Sequence, residues 1–328
     1  MVFANRLLRN KCKKWLRDIN AEHNLLAEDL ILPVFITEGN NIKQEIKFMP
    51  GIFKISIDNL LLIAKEAKES NIKALMIFPS IEEHLKDTEG SEAYNNNNLS
   101  CRAIKAIKNS VNDIGVIADI ALDPYTSHGH DGILFNGQID NNKTVEKLVK
   151  QSLTLAAAGV DALAPSDMMD NRVIAIRSAL DNLGYDNINI FSYSAKYASN
   201  FYTPFREAIN IAKNKYLSKM TYQLDIKNSK EAIKKAIYDT NEGADAIIVK
   251  PAIFSLDIIH KIHNTININT WAYQISGEYA MLKFTAMEGV LKWQDAMIES
   301  LICIKRAGAS CIITYAALEV AKYLNDNR

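Results

Sequence analysis

Thiols are scarce in this chain. Its 328 residues include four cysteines, Cys12, Cys101, Cys303 and Cys311, with no Cys-x-x-Cys pair and no histidine at ligand spacing. That scatter excludes a disulfide framework or a thiol-built zinc site, and predicts reduced, mostly buried thiols. Net charge is also absent, because Lys+Arg and Asp+Glu are both 38. Nothing gathers nucleic acid or an anionic membrane as partner. No run approaches the ~18–20 apolar residues of a membrane span, and residues 1–6 lack the apolar core and cleavage site of a signal peptide. The expected location is cytoplasmic. A Gly-rich phosphate turn is missing too: after the first apolar run the chain reads Glu38-Gly39-Asn40-Asn41, which is not a nucleotide fingerprint.

What is present is a rhythm. The chain is 48% hydrophobic, and short apolar runs alternate with amphipathic stretches from residue 30 to the end, as in repeated β-α units. Strands are predicted at 31–36, 74–78, 115–120, 161–164, 189–193, 246–250, 270–275 and 310–314. Helices at 58–70, 144–158, 171–183, 228–241 and 291–307 would pack outside them. Eight units imply an α/β fold, a closed (β/α)8 TIM barrel over residues 31–328. Residues 1–30 precede it as an N-terminal arm carrying Arg6, Arg9, Lys11, Lys13, Lys14 and Arg17 on a helix, either a solvated extension or a contact with another subunit. Two insertions break the rhythm. The polar stretch 87–99 reads as a mobile surface loop. The Gly-, His- and Asp-rich stretch 123–140 follows the third strand at the catalytic face, where long loops act as lids.

Two lysines close buried strands at that face: Lys196, in Ser194-Ala195-Lys196-Tyr197, and Lys250, in Ile247-Ile248-Val249-Lys250-Pro251. A strand-end lysine often only snorkels to solvent. A lysine among apolar and aromatic neighbours, beside a second lysine, instead has its pKa lowered toward neutrality, and the neutral amine attacks ketones to form Schiff bases. Around them the strands end in polar groups. The third gives Asp119, Asp123 and Asp131 with two histidines, either a metal or proton-transfer site or an acidic loop; carboxylate oxygens suit Mg²⁺ or a monovalent cation better than zinc. The fourth gives Ser166 and Asp167, either helix caps or substrate-orienting groups. Tyr202, Phe205 and Arg206 after the fifth suit a small, partly apolar carboxylate, with Gln223 as a neutral donor. Ser276 and Tyr315 end the seventh and eighth strands, as helix caps, as buried hydrogen bonds or as a second carboxylate grip.

In the segments Met49-Pro50-Gly51, 123–132, 164–170, 192–199, Thr221-Tyr222-Gln223, Val249-Lys250-Pro251, 276–281 and Arg306-Ala307-Gly308, the chain resembles the porphobilinogen synthase (δ-aminolevulinate dehydratase) family of tetrapyrrole and heme biosynthesis. The resemblance implies a lyase that condenses two δ-aminolevulinate molecules to porphobilinogen, and a homo-octamer assembled from dimers. It makes Lys250 the Schiff-base residue for the substrate that becomes the propionate side, with Ser276 and Tyr315 on its carboxylate. Lys196 would hold the second substrate, with Arg206 and Gln223 on its carboxylate, and Asp119 and Ser166 would support. Cysteines stand at the positions of Ala121, Asp123 and Asp131 in the zinc-dependent branch, so the resemblance is to the branch without catalytic zinc. There Mg²⁺ acts allosterically, with Glu242 as the candidate residue.

Thr203 and Asn171 stand where the family commonly has glycine, which puts loop geometry at issue if either φ is positive. Two other readings stay open: a Schiff-base aldolase for a phosphorylated sugar, lacking here a Gly-rich phosphate cradle, and a silent scaffold, which should have lost a lysine or a carboxylate grip.

Overall fold

A computed structural model describes residues 6–209 and 217–326; residues 1–5, at the start of the expected arm, and the ends of the expected barrel span at 327–328 lie outside the described residues. Eight parallel strands form the core: Leu30–Ile36 (β1), Ala74–Pro79 (β2), Gly115–Ile120 (β3), Ala162–Pro165 (β4), Asn189–Lys196 (β5), Ala246–Lys250 (β6), Asn269–Gln274 (β7) and Cys311–Thr314 (β8). Each pairs with the next, and β8 returns to β1 through Leu30 opposite Ile312 and Ile31 opposite Ile313, closing the barrel. Strands covered on both faces by helices and barrel interior become near-continuous apolar runs, and every residue of Leu30–Ile36 and of Ala246–Lys250 is buried.

The five expected outer helices are Ile57–Glu69, Asn141–Ala157, Arg172–Asn182, Lys230–Asn241 and Trp293–Arg306. Neither Ser166 nor Asp167 caps the helix that follows them. Asn171 stands at that N-cap in the left-handed region, φ 59°, a conformation Asn tolerates better than most residues. Thr203, by contrast, is right-handed helical at φ −53°, so it needs no glycine.

Three expectations are corrected. The basic arm is not one helix: a 3-10 turn, Leu7–Asn10, and a short helix, Lys14–Ile19, flank a break. The stretch 87–99 is no plain polar loop. It contains the 3-10 turn Ser91–Tyr94, and buried Asn98 accepts a hydrogen bond from the Cys101 amide, capping helix Leu99–Ser110. Of the four free thiols only Cys101 is buried, while Cys12 is exposed. The stretch 123–140 folds down over the barrel mouth, with Thr126, His130 and Asp131 buried, and ends in the small hairpin Leu134–Phe135/Gln138–Ile139. Among the described residues, no helix is long and apolar enough to cross a membrane.

Candidate active site

Lys196 and Lys250 end β5 and β6 directly opposite one another in the ladder. Both point into the mouth of the barrel, where one cavity is lined by Asp119, Asp123, Ser166, Lys196, Tyr202, Phe205, Arg206, Gln223 and Lys250, all expected from the sequence, together with Phe78 and Lys219. Its free space is ≈ 20 Å³, about enough for one water molecule. A ligand larger than water therefore requires the walls to part.

The two amines sit in different surroundings. Lys250 Nζ lies in an aromatic box, 4.4 Å from the Tyr273 ring centroid, 5.0 Å from Phe205, 5.2 Å from Tyr202 and 5.3 Å from Tyr193. Burial, followed by the Lys196 ammonium, pushes its pKa from 10.5 down to about 7. Lys196 Nζ instead donates to Asp131 Oδ1 at 3.0 Å and to the Ser166 carbonyl. Ser166 Oγ donates to Asp119 at 3.1 Å. Burial pushes Asp119 up to about 7 despite both lysines.

Asp123 and Asp131, expected to offer oxygens to a cation, are bridged by Lys219, whose ammonium is 2.9 Å from Asp123 Oδ2 and 2.8 Å from Asp131 Oδ2. Burial opposes charge on Asp131, but Lys196 and Lys219 hold its carboxyl well below the ordinary range; the Tyr222 hydroxyl also donates to it, at 2.7 Å. Burial lowers and the two aspartates raise the Lys219 pKa, with a net rise. The ammonium occupies the place a cation would take, so as the residues stand they do not fit a metal. Among the described residues no three His, Cys, Asp or Glu side chains gather to hold one.

Ser276 and Tyr315 are close by but off the cavity wall. Ser276 Oγ accepts from the Phe205 amide at 3.1 Å and donates to the Phe201 carbonyl at 3.3 Å. Tyr315 shares a hydrogen bond with Tyr273, 2.9 Å between hydroxyls. Gly277 is required beside them, because a Cβ there would collide with the Phe201 backbone. Buried Glu278 then accepts from the amides of Ile275, at 2.6 Å, and Ile253, at 2.5 Å, tying the loop after Lys250 to the helix after β7. Gln223 is buried with its Oε1 unpartnered among the described residues. Glu242 lies away from this cavity, at the end of helix Lys230–Asn241, accepting from the Ile174 amide at 3.3 Å.

Sequence reasoning missed Lys219 and Tyr273. Lys219 had a signal in Lys219-Met220-Thr221-Tyr222-Gln223, a lysine in an aromatic loop four residues before a site amide. Tyr273 was hidden as one more apolar strand residue.

A family description, delta-aminolevulinic acid dehydratase, matches residues 4–323. The chain is 46% identical over 321 residues to the delta-aminolevulinic acid dehydratase of Bradyrhizobium diazoefficiens, covering 98% of this chain and 91% of that protein. It is 43% identical to that of Chlamydia pneumoniae, covering 99% and 98%. The crystal structure of the Toxoplasma gondii enzyme in complex with the reaction product porphobilinogen superposes with a TM-score of 0.98 at 41% identity, covering 99% of this chain and 93% of that one. With two buried lysines at the mouth of a barrel of this shape, and a match over nearly its whole length, the chain belongs to the delta-aminolevulinic acid dehydratase family.

Proposed function

We propose that the chain condenses two molecules of δ-aminolevulinate to porphobilinogen with loss of two waters, using both lysines as Schiff-base residues. The observation that carries this is the pairing of Lys196 with Lys250 in the ladder, together with a Lys250 pKa lowered to about 7, which leaves a reactive fraction of free amine at neutral pH. Lys250 attacks the ketone of one substrate and water leaves, giving an imine; Lys196 does the same to the other. Carbon–carbon bond formation joins them. Attack of one substrate's amino group on the carbon still bound as an imine to the other lysine then expels that lysine, elimination of the first lysine amine from the carbon joined in the previous step leaves a ring double bond, and a final deprotonation makes the pyrrole aromatic. Holding both ketones in one pocket turns an encounter in solution into an intramolecular step.

Arg206 and Gln223 bind the carboxylate of the substrate on Lys196, the guanidinium and the side-chain amide N–H donating to it. Ser276 and Tyr315 bind the other carboxylate once Phe205 moves, since the Phe205 amide now occupies Ser276. Asp119 and Ser166 position the second amine and relay its protons. The 123–140 stretch is the lid. Its carboxylates carry no thiol, and Lys219 supplies the charge between them, so catalysis proceeds without zinc. A monovalent cation would have to displace that ammonium.

Magnesium-linked activation through Glu242 and assembly into an octamer through the arm extend this reading. Leu7, Leu8, Trp15 and Ile19 support the second, being 76%, 78%, 57% and 71% exposed. For the first, Glu242 alone is too small a donor set, so water or a second copy would supply the other ligands. The protein is proposed to work in the cytoplasm.

The test is pyrrole formation from δ-aminolevulinate by chelator-treated protein, with Mg²⁺ or Zn²⁺ added back and sedimentation followed in parallel. Turnover raised by Mg²⁺ and indifferent to Zn²⁺ supports the whole reading. Turnover only with Zn²⁺ overturns the metal part, and no pyrrole under any condition overturns the function.

A further inference from the structure

The ladder between the two lysine-bearing strands is irregular. Ser192 pairs with Ile247 and Ala195 with Val249, so three steps along β5 face two along β6. One extra residue is accommodated in β5, which makes it a β-bulge.

Side-chain directions show what the bulge accomplishes. The hydroxyls of Ser192 and Ser194 both donate to Asp239 Oδ2, at 2.8 and 2.6 Å, on the outer helix Lys230–Asn241. Between them the Tyr193 ring faces Lys250 inside the barrel. Ser192 is thus out, Tyr193 in and Ser194 out. Strict alternation would turn Ala195 in and Lys196 out. Lys196 instead reaches Asp131 and the Ser166 carbonyl inside the barrel, because the extra residue absorbs one step of the alternation.

A buried charge cluster sits on that irregularity. Arg172 is fully buried and donates to Ser192 Oγ at 2.9 Å and to the Tyr193 carbonyl at 3.2 Å, both in the bulge region. It is 3.3 Å from Asp239 and 3.2 Å from Asp167, next in sequence to Ser166. Lys235 adds a further contact to Asp239, at 3.3 Å. A buried arginine with two carboxylates is a costly way to stabilise a fold when apolar residues would serve. Fixing one of two backbone phases is a use that apolar packing does not supply.

We propose that Arg172 and Asp239 are positioning residues for Lys196: they clamp the β5 bulge and so keep this lysine, and not Lys250, turned into the site. The inference rests on reading Lys196 as a substrate amine.

Borohydride reduction in the presence of δ-aminolevulinate, followed by peptide mass spectrometry, reads each lysine separately. The double variant Ser192→Ala/Ser194→Ala should lose at least tenfold of its modification at Lys196 while keeping that at Lys250. Lys305→Ala breaks a 3.0 Å pair between helix Trp293–Arg306 and Asp29, just before β1, and serves as a control for lost stability; it should change neither lysine. Asp239→Asn repeats the test if the serine pair folds poorly. Equal loss at both lysines, or unchanged Lys196, overturns the proposal. If the unaltered protein is never modified at Lys196, the reading of that lysine as a substrate amine fails. The clamp is then judged by acetic anhydride labelling: faster acetylation of Lys196 in the variants supports it, and an unchanged rate overturns it.

Discussion

Replacing Lys250 by methionine should destroy turnover and make the protein more stable. The lysine is buried in a box of four aromatic rings, and its pKa falls from 10.5 to about 7. At about 1.36 kcal/mol per unit, that shift corresponds to roughly 5 kcal/mol, an upper bound on what the fold loses by enclosing the amine. The sign follows from proton binding. Between pH 7 and 10.5 the unfolded chain keeps this proton and the folded one does not, so the stability contributed here is lowest below pH 7 and rises with pH through that window. Methionine has similar length, needs no hydration and contacts aromatic rings favourably. A gain of about 2–5 kcal/mol is expected at pH 6–7, shrinking toward pH 10. With an unfolding entropy of about 2.1 cal/mol/K per residue over 328 residues, this raises Tm by roughly 3–7 °C. Calorimetry of the variant beside the parent at several pH values is the assay. A fall in Tm at pH 6–7, or a gain that grows with pH, would refute the argument that burial penalises the ammonium form of this amine.

Catalysis should follow the same proton: kcat/KM is expected to drop about tenfold per pH unit below about 7, and Asp119→Asn, which removes a carboxylate favouring the ammonium, should move that limb to lower pH; a limb that stays put after the substitution counts against the assignment. Lys219→Met strands Asp123 and Asp131 without their bridging ammonium, so a loss of about 3–5 kcal/mol, read by urea unfolding at neutral pH, is expected, together with a new response to added cations. Arg206→Ala should raise KM at least tenfold while leaving borohydride trapping at Lys250 intact. Asn171→Ala, at a left-handed position, should cost about 1 kcal/mol whereas Asn171→Gly should not, as thermal melts will tell.

Much of this architecture could be read along the chain. Ile247-Ile248-Val249 is an unbroken apolar run because a barrel strand is covered on both faces, and a lysine at its end stands out for the same reason. Lys196 was legible likewise, with the serines and tyrosine before it. What could not be read were partnerships made across the fold. Lys219 meets Asp123 from 96 residues away, and no local pattern announces that an ammonium rather than a metal will sit between two aspartates. Ser166 and Asp167 had the look of helix caps, yet Asp167 faces Arg172 and leaves the cap to Asn171. The bulge in β5 was invisible because period-two patterns assume the regular ladder that it breaks. The polar run at 95–98 looked like solvent-facing loop, although Asn98 spends its polarity on a buried helix start.

The contrast between the aromatic box and the acidic corner bears on a difficulty peculiar to joining two copies of one compound. The copies arrive indistinguishable and must leave in unlike halves of a single product. A binding site with twofold symmetry would offer each of them the same fate and could not set a head against a tail. Here the surroundings differ before either molecule arrives: one amine is buried among rings, which lowers its pKa to about 7, and the other is tethered to a carboxylate and a carbonyl. On the proposed reading, in which each lysine takes one molecule, identical guests would meet different chairs, and the regiochemistry of the ring would follow from the seating.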